Sequence, residues 1–299
     1  MVRRMHDNEI SLTVAMVRRM LSEQFPQWAH LPPERVESSG TVNAMFRLGV
    51  DKVVRLPFVE HGAHGIELEA MWLPVLAPYL PVRIPAVLGI GRPDAEYPCP
   101  WLVLDWLDGE HPAAGHPRAS LTLASGLAQF ISALRRIPTD TAPIGYRGGS
   151  FHPLDDEVRR CLVQARDLVD VPTLTAVWDD ALGAAEWTGP PVWVHCDLLA
   201  ANLLVTDDQL SGVLDFAAAG VGDPACDLIP AWSVLSAEAR QSFRTDVGID
   251  DATWRRGRGW ALAQAAIALP YYRDSNRVMA DGSLRALREL SSGNAPTRP

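Results

Sequence analysis

The sequence predicts an α+β chain with two lobes: an N-terminal one built on a small antiparallel sheet, and a larger, mostly helical C-terminal one. Three observations carry this. The chain has 299 residues, 47% of them hydrophobic and 21% charged, which suffices for a large core at the upper end of one domain or the lower end of two. Short segments of β-type composition, separated by glycine and proline turns, crowd the stretch from 33 to 105. Beyond Gly109 the pattern changes to long segments with apolar residues at helical spacing. The expected organisation is an N-terminal lobe over 1–104, a connecting segment over 105–110 and a C-terminal lobe over 111–299.

The elements follow in order. From Asp7 or Asn8, Ile10, Val14, Val17 and Leu21 mark an amphipathic helix that stops near Pro26. The runs RVESSG, NAMFRLGV and DKVVRLPF read as three strands of a meander, broken by a Ser-Ser-Gly turn and by Gly49-Val50-Asp51. HGAHGIELEAMWLPVLAPYL carries Ile66, Met71, Leu73 and Leu76 at helical spacing up to a proline stop. RIPAVLGIG and PCPWLVLDWL add two strands, giving a sheet of about five. In the second half, LTLASGLAQFISALRRI, HPLDDEVRRCLVQARDLV and the region from Trp254 to Pro270 read as helices. ANLLV and SGVLDF flank a polar turn and read as a hairpin. The tail SSGNAPTRP is expected to fray.

Bulk charge and cysteine use exclude several classes of function. The formal net charge of −9 argues against a grip on nucleic acid or anionic lipid, and suits a cationic small molecule better. Cys99, Cys161, Cys196 and Cys226 form no CxxC pair, so neither a zinc knuckle nor a disulfide framework is expected. With no apolar leader and no long uncharged run, a soluble cytoplasmic protein without a membrane partner is the expectation. No phosphate-binding P-loop is possible, because the lone lysine, Lys52, follows Asp51 rather than glycine. GIGRPD at 89–94 lacks the third glycine of a dinucleotide loop.

One stretch concentrates chemistry where a core strand would be: His195, Cys196, Asp197 and Asn202, followed by Asp215 at the end of the next strand. Two carboxylates and an amide oxygen are hard ligands of the kind that magnesium bound to nucleotide phosphates prefers. A carboxylate left off the metal can accept a proton from an attacking hydroxyl. That division of labour is the one used in phosphoryl transfer, where positioning and charge neutralisation do most of the work. A cysteine nucleophile activated by His195 is the rival, but adjacent residues on extended chain point to opposite faces and pair poorly.

The paired run HCDLLAANLL and VLDFAAAGVGDPACDL resembles the HGDxxxxN and D…GDPxxDL signatures of the aminoglycoside phosphotransferase family, and the likeness extends almost end to end. It implies a bilobal protein-kinase-like fold and a small-molecule kinase that uses ATP or GTP with Mg2+. By this likeness Asp197 would be the catalytic base, Asn202 and Asp215 would hold magnesium, and His195 would tie the loop to its surroundings. Cys196 stands where the family usually has glycine, which implies that ordinary backbone angles are tolerated there or that the loop differs slightly.

The resemblance also implies a nucleotide site. The family's cation on the third strand matches Arg55, with Lys52 the alternative; strand alternation turns the two to opposite faces. Read blandly, Arg55 is a surface residue of an edge strand. Glu69 is the carboxylate expected to pair with it, a solvated helix face being the plainer reading. Ser39, Gly40 and Thr41, after Ser38, form the candidate cover loop over phosphate. The backbone around Asp105 and Trp106 would hydrogen-bond adenine, although Trp106 could simply be core. Asp223 or Asp227 can cap a helix and accept hydrogen bonds from the catalytic loop. An aminoglycoside is the first acceptor class to test; Asp179, Asp180 and Glu186 would suit a polycation, or equally form a solvated helix face. Trp232, Trp260, Tyr271, Tyr272 and Asp274 lie where relatives build an acceptor pocket, though aromatics at helical spacing are usually core. Relatives also act on macrolides, choline and homoserine, so the motifs leave the acceptor open.

Overall fold

In the computed structural model, residues 9–37, 40, 42–112 and 117–292 are described. The chain forms two compact units, the first comprising Met1–Pro78, Arg83–Asp108 and Leu214–Ala217, the second Tyr79–Val82, Gly109–Val213 and Ala218–Pro299.

The first unit is built on a five-stranded antiparallel sheet of β1 (Pro33–Val36), β2 (Asn43–Leu48), β3 (Lys52–Pro57), β4 (Val87–Gly91) and β5 (Trp101–Asp105), in the order β1-β2-β3-β5-β4. β3 is therefore an interior strand, flanked by β2 and β5. Two helices accompany the sheet, α1 (Val14–Gln24) and α2 (Ala63–Leu76). Val17, Met20 and Leu21 of α1 join Phe46, Leu48, Val54, Leu56, Trp101 and Val103 in one buried core.

Two helix expectations need correction. α1 starts at Val14 rather than near residue 7, because Thr13 is the residue whose hydroxyl accepts the Met16 N–H. Ile10 instead gives its N–H to the Phe58 carbonyl, and Asp7 and Asn8 lie outside the described residues. In α2 the buried stripe is Ile66, Glu69, Leu73 and Leu76, whereas Met71 is 62% exposed. Helical spacing set by 66, 69, 73 and 76 puts a carboxylate, not the methionine, on the inward face. The helix passes through Pro74 and ends at Leu76, ahead of Pro78, as the expected proline stop has it.

The second unit holds the helices α3 (Pro117–Leu134), α4 (Asp155–Gln164), α5 (Val171–Leu182), α6 (Pro230–Ser233), α7 (Ala237–Val247), α8 (Asp251–Tyr272) and α9 (Arg277–Ser292). Each start has a local cause where a cap is present: Asp170, Ser236 and Asp250 accept the N–H three residues on. α7 ends on Gly248, which takes the left-handed conformation that glycine adopts without cost. α9 includes Ser291 and Ser292 of the stretch expected to fray; 293–299 lie outside the described residues.

Two small ribbons interrupt the helices. β7 (Leu203–Thr206) and β8 (Gln209–Val213) form the expected hairpin, closed by Asp207 and Asp208, both at positive φ. β6 (Val192–Val194) pairs with β9 (Gly220–Gly222). Along β9, the Val221 N–H donates to the Pro143 carbonyl and the Gly145 N–H to the Val221 carbonyl, seating the loop at 143–148. Gly222 is required there, because a Cβ on it would lie 2.2 Å from Cα of Gly148. Among the described residues no helix is long and apolar enough to cross a membrane.

Candidate active site

Arg55 occupies the middle of β3 with its side chain buried, so the edge-strand reading is wrong: both neighbouring strands pair with this residue, through Met45 and Leu102. A buried guanidinium must find acceptors, and it finds two carboxylates. Nη1 donates to Glu69 Oε1 at 3.0 Å and Nη2 to Asp215 Oδ1 at 2.6 Å. The Asn43 amide lies against the same group, its oxygen 2.9 Å from Nη2. Glu69 is 0% exposed, so the solvated-face reading fails for it as well. Its Oε1 also accepts the Phe216 N–H at 2.9 Å, while Oε2 has no partner among the described residues.

Two carboxylates sharing one cation cannot be treated alike. Asp215, whose side chain is 38% exposed, keeps access to water; Glu69 has none. Burial pushes the Glu69 carboxyl up, to about 7, outweighing the opposing pull of Arg55, and the Asp215 charge adds to the rise. Arg55 is raised: burial opposes its charge, and Asp215 and Glu69 together overcome it. Asp215 sits at φ 63°, in the left-handed region that Asp enters more readily than most residues.

Lys52 lies elsewhere. Its Nζ is 2.8 Å from Asp51 Oδ1 and 5.9 Å from the centre of the Trp28 ring, on the opposite face of β3 from Arg55. The expectation for Asp105 and Trp106 needs revision. The Asp105 N–H is given to Ala86 O and the Trp106 N–H to Asp51 O, so neither amide is left as a donor for a base; carbonyl oxygens are what these two residues can offer. The Asp105 carboxylate takes the Ala86 N–H and an Arg83 guanidinium, and the Trp106 ring lies 3.9 Å from the Arg47 guanidinium. Of the candidate cover loop, Gly40 is exposed and Ser39 and Thr41 lie outside the described residues.

In the second unit the loop after β6 is anchored from below by one carboxylate. Asp227, fully buried, accepts the His195 N–H at 2.9 Å and the Cys196 N–H at 2.9 Å. Burial raises its carboxyl, against the pull of His195 and these amides. The buried His195 ring accepts the Asp197 N–H at Nδ1, at 3.2 Å, a bond within the loop, whereas the expectation is a tie to its surroundings. Asp223 does not reach this loop. It caps the following turn through the Ala225 N–H and forms a two-pronged buried pair with Arg256, at 2.7 and 3.1 Å.

Cys196 corrects a sequence inference. Its φ is 68°, the left-handed conformation that glycine would take freely, so the backbone keeps the turn and the cysteine bears the strain. With the chain turning there, alternation no longer explains why His195 and Cys196 fail to pair; Sγ lies 3.7 Å from the Cys226 Sγ instead, both buried.

The Asp197 carboxylate is held on both oxygens. Oδ2 accepts from Asn202 Nδ2 at 2.9 Å, and the same amide reaches the Asp197 carbonyl at 2.8 Å. With its nitrogen committed twice, Asn202 has its oxygen left for a cation. Oδ1 accepts from Arg147 Nη1 at 3.2 Å and from Gln264 Nε2 at 3.1 Å. Arg147 comes from the loop seated on β9, also donates to the Cys196 carbonyl at 2.6 Å, and lies 5.2 Å from the Tyr146 ring centre. Sequence reasoning missed Arg147 and Gln264. Arg147 has no motif around it, but Gln264 leaves a trace: it is the single amide in the alanine-rich run ALAQAAIAL.

Two of the acidic residues proposed to meet a cation, Asp179 and Asp180, already have one. Asp179 pairs with Arg159, Asp180 with Arg255, and Glu186 lies 3.9 Å from His152, all at exposed positions. Trp232 and Trp260 are buried, Trp232 against Trp254 at 4.7 Å and Trp260 against Phe151 at 5.5 Å. Tyr271 is exposed and stacks edge-on with Tyr272 near the end of α8. Among the described residues no group of three or more His, Cys, Asp or Glu is placed to hold a metal, so a cation here would depend on an amide oxygen such as that of Asn202.

Comparison with known proteins gives the following. The model of the phosphotransferase enzyme family matches residues 35–260. The solved structure of wild-type aminoglycoside 2'-phosphotransferase-IIIa with GDP is similar at 21% identity and a TM-score of 0.73, covering 95% of this chain and 100% of that one. A GDP and kanamycin complex of APH(2")-IIIa matches at 21% identity and a TM-score of 0.71, over 94% and 99%. Macrolide 2'-phosphotransferase MphH from Brachybacterium faecium matches at 19% identity and 0.58, over 96% and 99%. No curated protein matches the chain in sequence.

Proposed function

Because the chain belongs to the phosphotransferase enzyme family, we propose that it moves the γ-phosphate of ATP or GTP to a hydroxyl of a small molecule, with Mg2+. The acceptor oxygen bonds to the γ-phosphorus, the bond from that phosphorus to the bridging oxygen breaks, and the nucleoside diphosphate leaves. The hydroxyl proton passes to the Asp197 carboxylate. The observation that carries the reading is the fixing of that carboxylate, by Asn202 on Oδ2 and by Arg147 and Gln264 on Oδ1, while buried Asp227 anchors the amides of His195 and Cys196 just before it.

Magnesium would supply charge neutralisation for the phosphates, and hard oxygens suit it. Asn202 has its amide oxygen to give, and Asp215 a partly exposed carboxylate with one oxygen on Arg55. Arg55, held charged by two carboxylates, is the cation for the α and β phosphates, and Glu69 fixes its direction. Gly40, with Ser39 and Thr41, is the proposed cover over the phosphates.

An aminoglycoside is the first acceptor class; kanamycin, gentamicin and streptomycin are bound in complexes of similar proteins. Another small alcohol, of macrolide, choline, homoserine or sugar type, is the second. Asp179 and Asp180 are ion-paired at the exposed surface and so do not choose between the two.

The test is magnesium-dependent phosphate transfer from ATP and GTP across a panel of these acceptors, by wild type and Asp197→Asn. Wild type is expected to phosphorylate at least one acceptor, and Asp197→Asn to lose turnover by at least about 100-fold with nucleotide affinity retained. Binding without turnover of any acceptor would instead identify a nucleotide-binding module.

A further inference from the structure

Helix α8 buries a nearly continuous apolar face around Gln264, with Ala261, Leu262, Ala263, Ala265 and Ala266 all inside. An amide in such a setting has to be hydrogen-bonded, or it weakens the fold relative to leucine at the same place. Gln264 meets half of that requirement: Nε2 donates to Asp197 Oδ1. Its Oε1 is buried and has no partner among the described residues. One turn earlier on the same helix face, Nε1 of Trp260 is buried and likewise unpaired. An unpaired acceptor and an unpaired donor therefore occur together on the helix that touches the catalytic carboxylate.

Neither atom is explained by packing or by the placement of Asp197, for which one N–H suffices. The partner that satisfies Oε1 is expected to arrive with the acceptor, because Gln264 already contacts the group that receives the hydroxyl proton. We propose that Gln264 is a specificity-determining residue: one end of its amide holds Asp197, and the other accepts a hydrogen bond from a second donor on the acceptor, a hydroxyl or ammonium on the carbon next to the one phosphorylated. The inference rests on the phosphotransferase reading above and narrows it. The acceptor class is a vicinal diol or 1,2-amino alcohol, not an isolated alcohol. Recognition and placement of the base are coupled through one side chain, so an acceptor lacking the second donor leaves a buried oxygen unpaired at the moment of transfer.

The experiment takes kanamycin, gentamicin and a macrolide as acceptors, with ATP or GTP and Mg2+, and locates the phosphorylated hydroxyl by NMR. The acceptor that is turned over is then compared with its analogue carrying hydrogen in place of the neighbouring donor. Wild type is expected to favour the parent in kcat/KM by at least about 100-fold, and Gln264→Leu to reduce that preference to within a few-fold. Equal use of parent and analogue by wild type overturns the inference. So does a Gln264→Leu enzyme that is slower on both by the same factor, since that would make Gln264 only a prop for Asp197. Should Gln264→Leu fail to fold, the wild-type pair of acceptors decides alone. Turnover of no acceptor at all overturns the phosphotransferase reading, whereas turnover without discrimination overturns only the role given to Gln264.

Discussion

The Arg55 cluster and the Asp197 loop solve the same problem, holding one polar side chain still, by opposite means. Around Arg55, itself on a strand, the fixing groups are charges on two other stretches of chain, a helix and the segment at 214–217. Around Asp197 they are mainly amides, and the deepest anchor, Asp227, grips backbone rather than side chains. A charge cluster depends on protonation, because its members change the field of one another. A carboxylate closed on backbone N–H groups depends on local chain geometry as well. Burial raises the carboxyl in both, at Glu69 and at Asp227, but only the second depends on backbone angle.

The largest effects should come from removing the central member of each. Arg55→Ala leaves Glu69 and Asp215 facing each other without a cation, and is expected to cost about 3–5 kcal/mol. Asp227→Ala strands two buried N–H groups and should cost about 3 kcal/mol. Urea unfolding measures both. If the comparison holds, Arg55→Lys recovers part of the loss, while Asp227→Glu, too long for the same two amides, recovers little.

A smaller effect isolates the titration. The Glu69 carboxyl is raised from 4.5 unfolded to about 7 in the fold, so the native state holds its proton more tightly. The stability it contributes is then complete below pH 4.5 and is lost as pH rises through about 7, at no more than about 1.4 kcal/mol per pH unit. Glu69→Gln should remove this slope. Thermal melts of both proteins from pH 4.5 to 8 are expected to show wild type losing ground to the variant as pH rises; parallel curves would place the ionised form in the native state throughout.

Smallest is the effect of Cys196→Gly. Relief of left-handed strain, about 1 kcal/mol, is set against loss of a small buried side chain of similar value, so stability should shift by less than about 1 kcal/mol. Cys196→Val, β-branched at the same φ, should cost more than about 2 kcal/mol. If glycine and valine behave alike, backbone angle is not what this loop depends on.

Much of this was legible in the sequence, for identifiable reasons. The five strands show because glycine and proline turns bound them, and Arg55 could be assigned a face because side chains alternate along a strand. The hairpin at 203–213 shows because two apolar runs flank a polar pair. The rest needed coordinates. The start of α1 depends on which of several polar residues caps it, and only the Thr13 hydroxyl does. Glu69 shares the inward stripe with Ile66, Leu73 and Leu76 while Met71 faces out, and hydropathy alone does not place a carboxylate there. Cys196 and Cys226 are 30 residues apart in sequence yet their sulfurs nearly touch, a proximity that spacing rules do not see. Arg147 reaches Asp197 only because paired glycines let its loop lie flat on β9, and nothing near it in sequence says so.

Lys52, the one lysine, is moored to Asp51 on the far face of β3 from Arg55. An amine-directed reagent therefore has a single side chain to acylate, and reaching it leaves the guanidinium untouched. A dye or tether attached there would report on the sheet from the face opposite Arg55, beside Asp105 and Trp106.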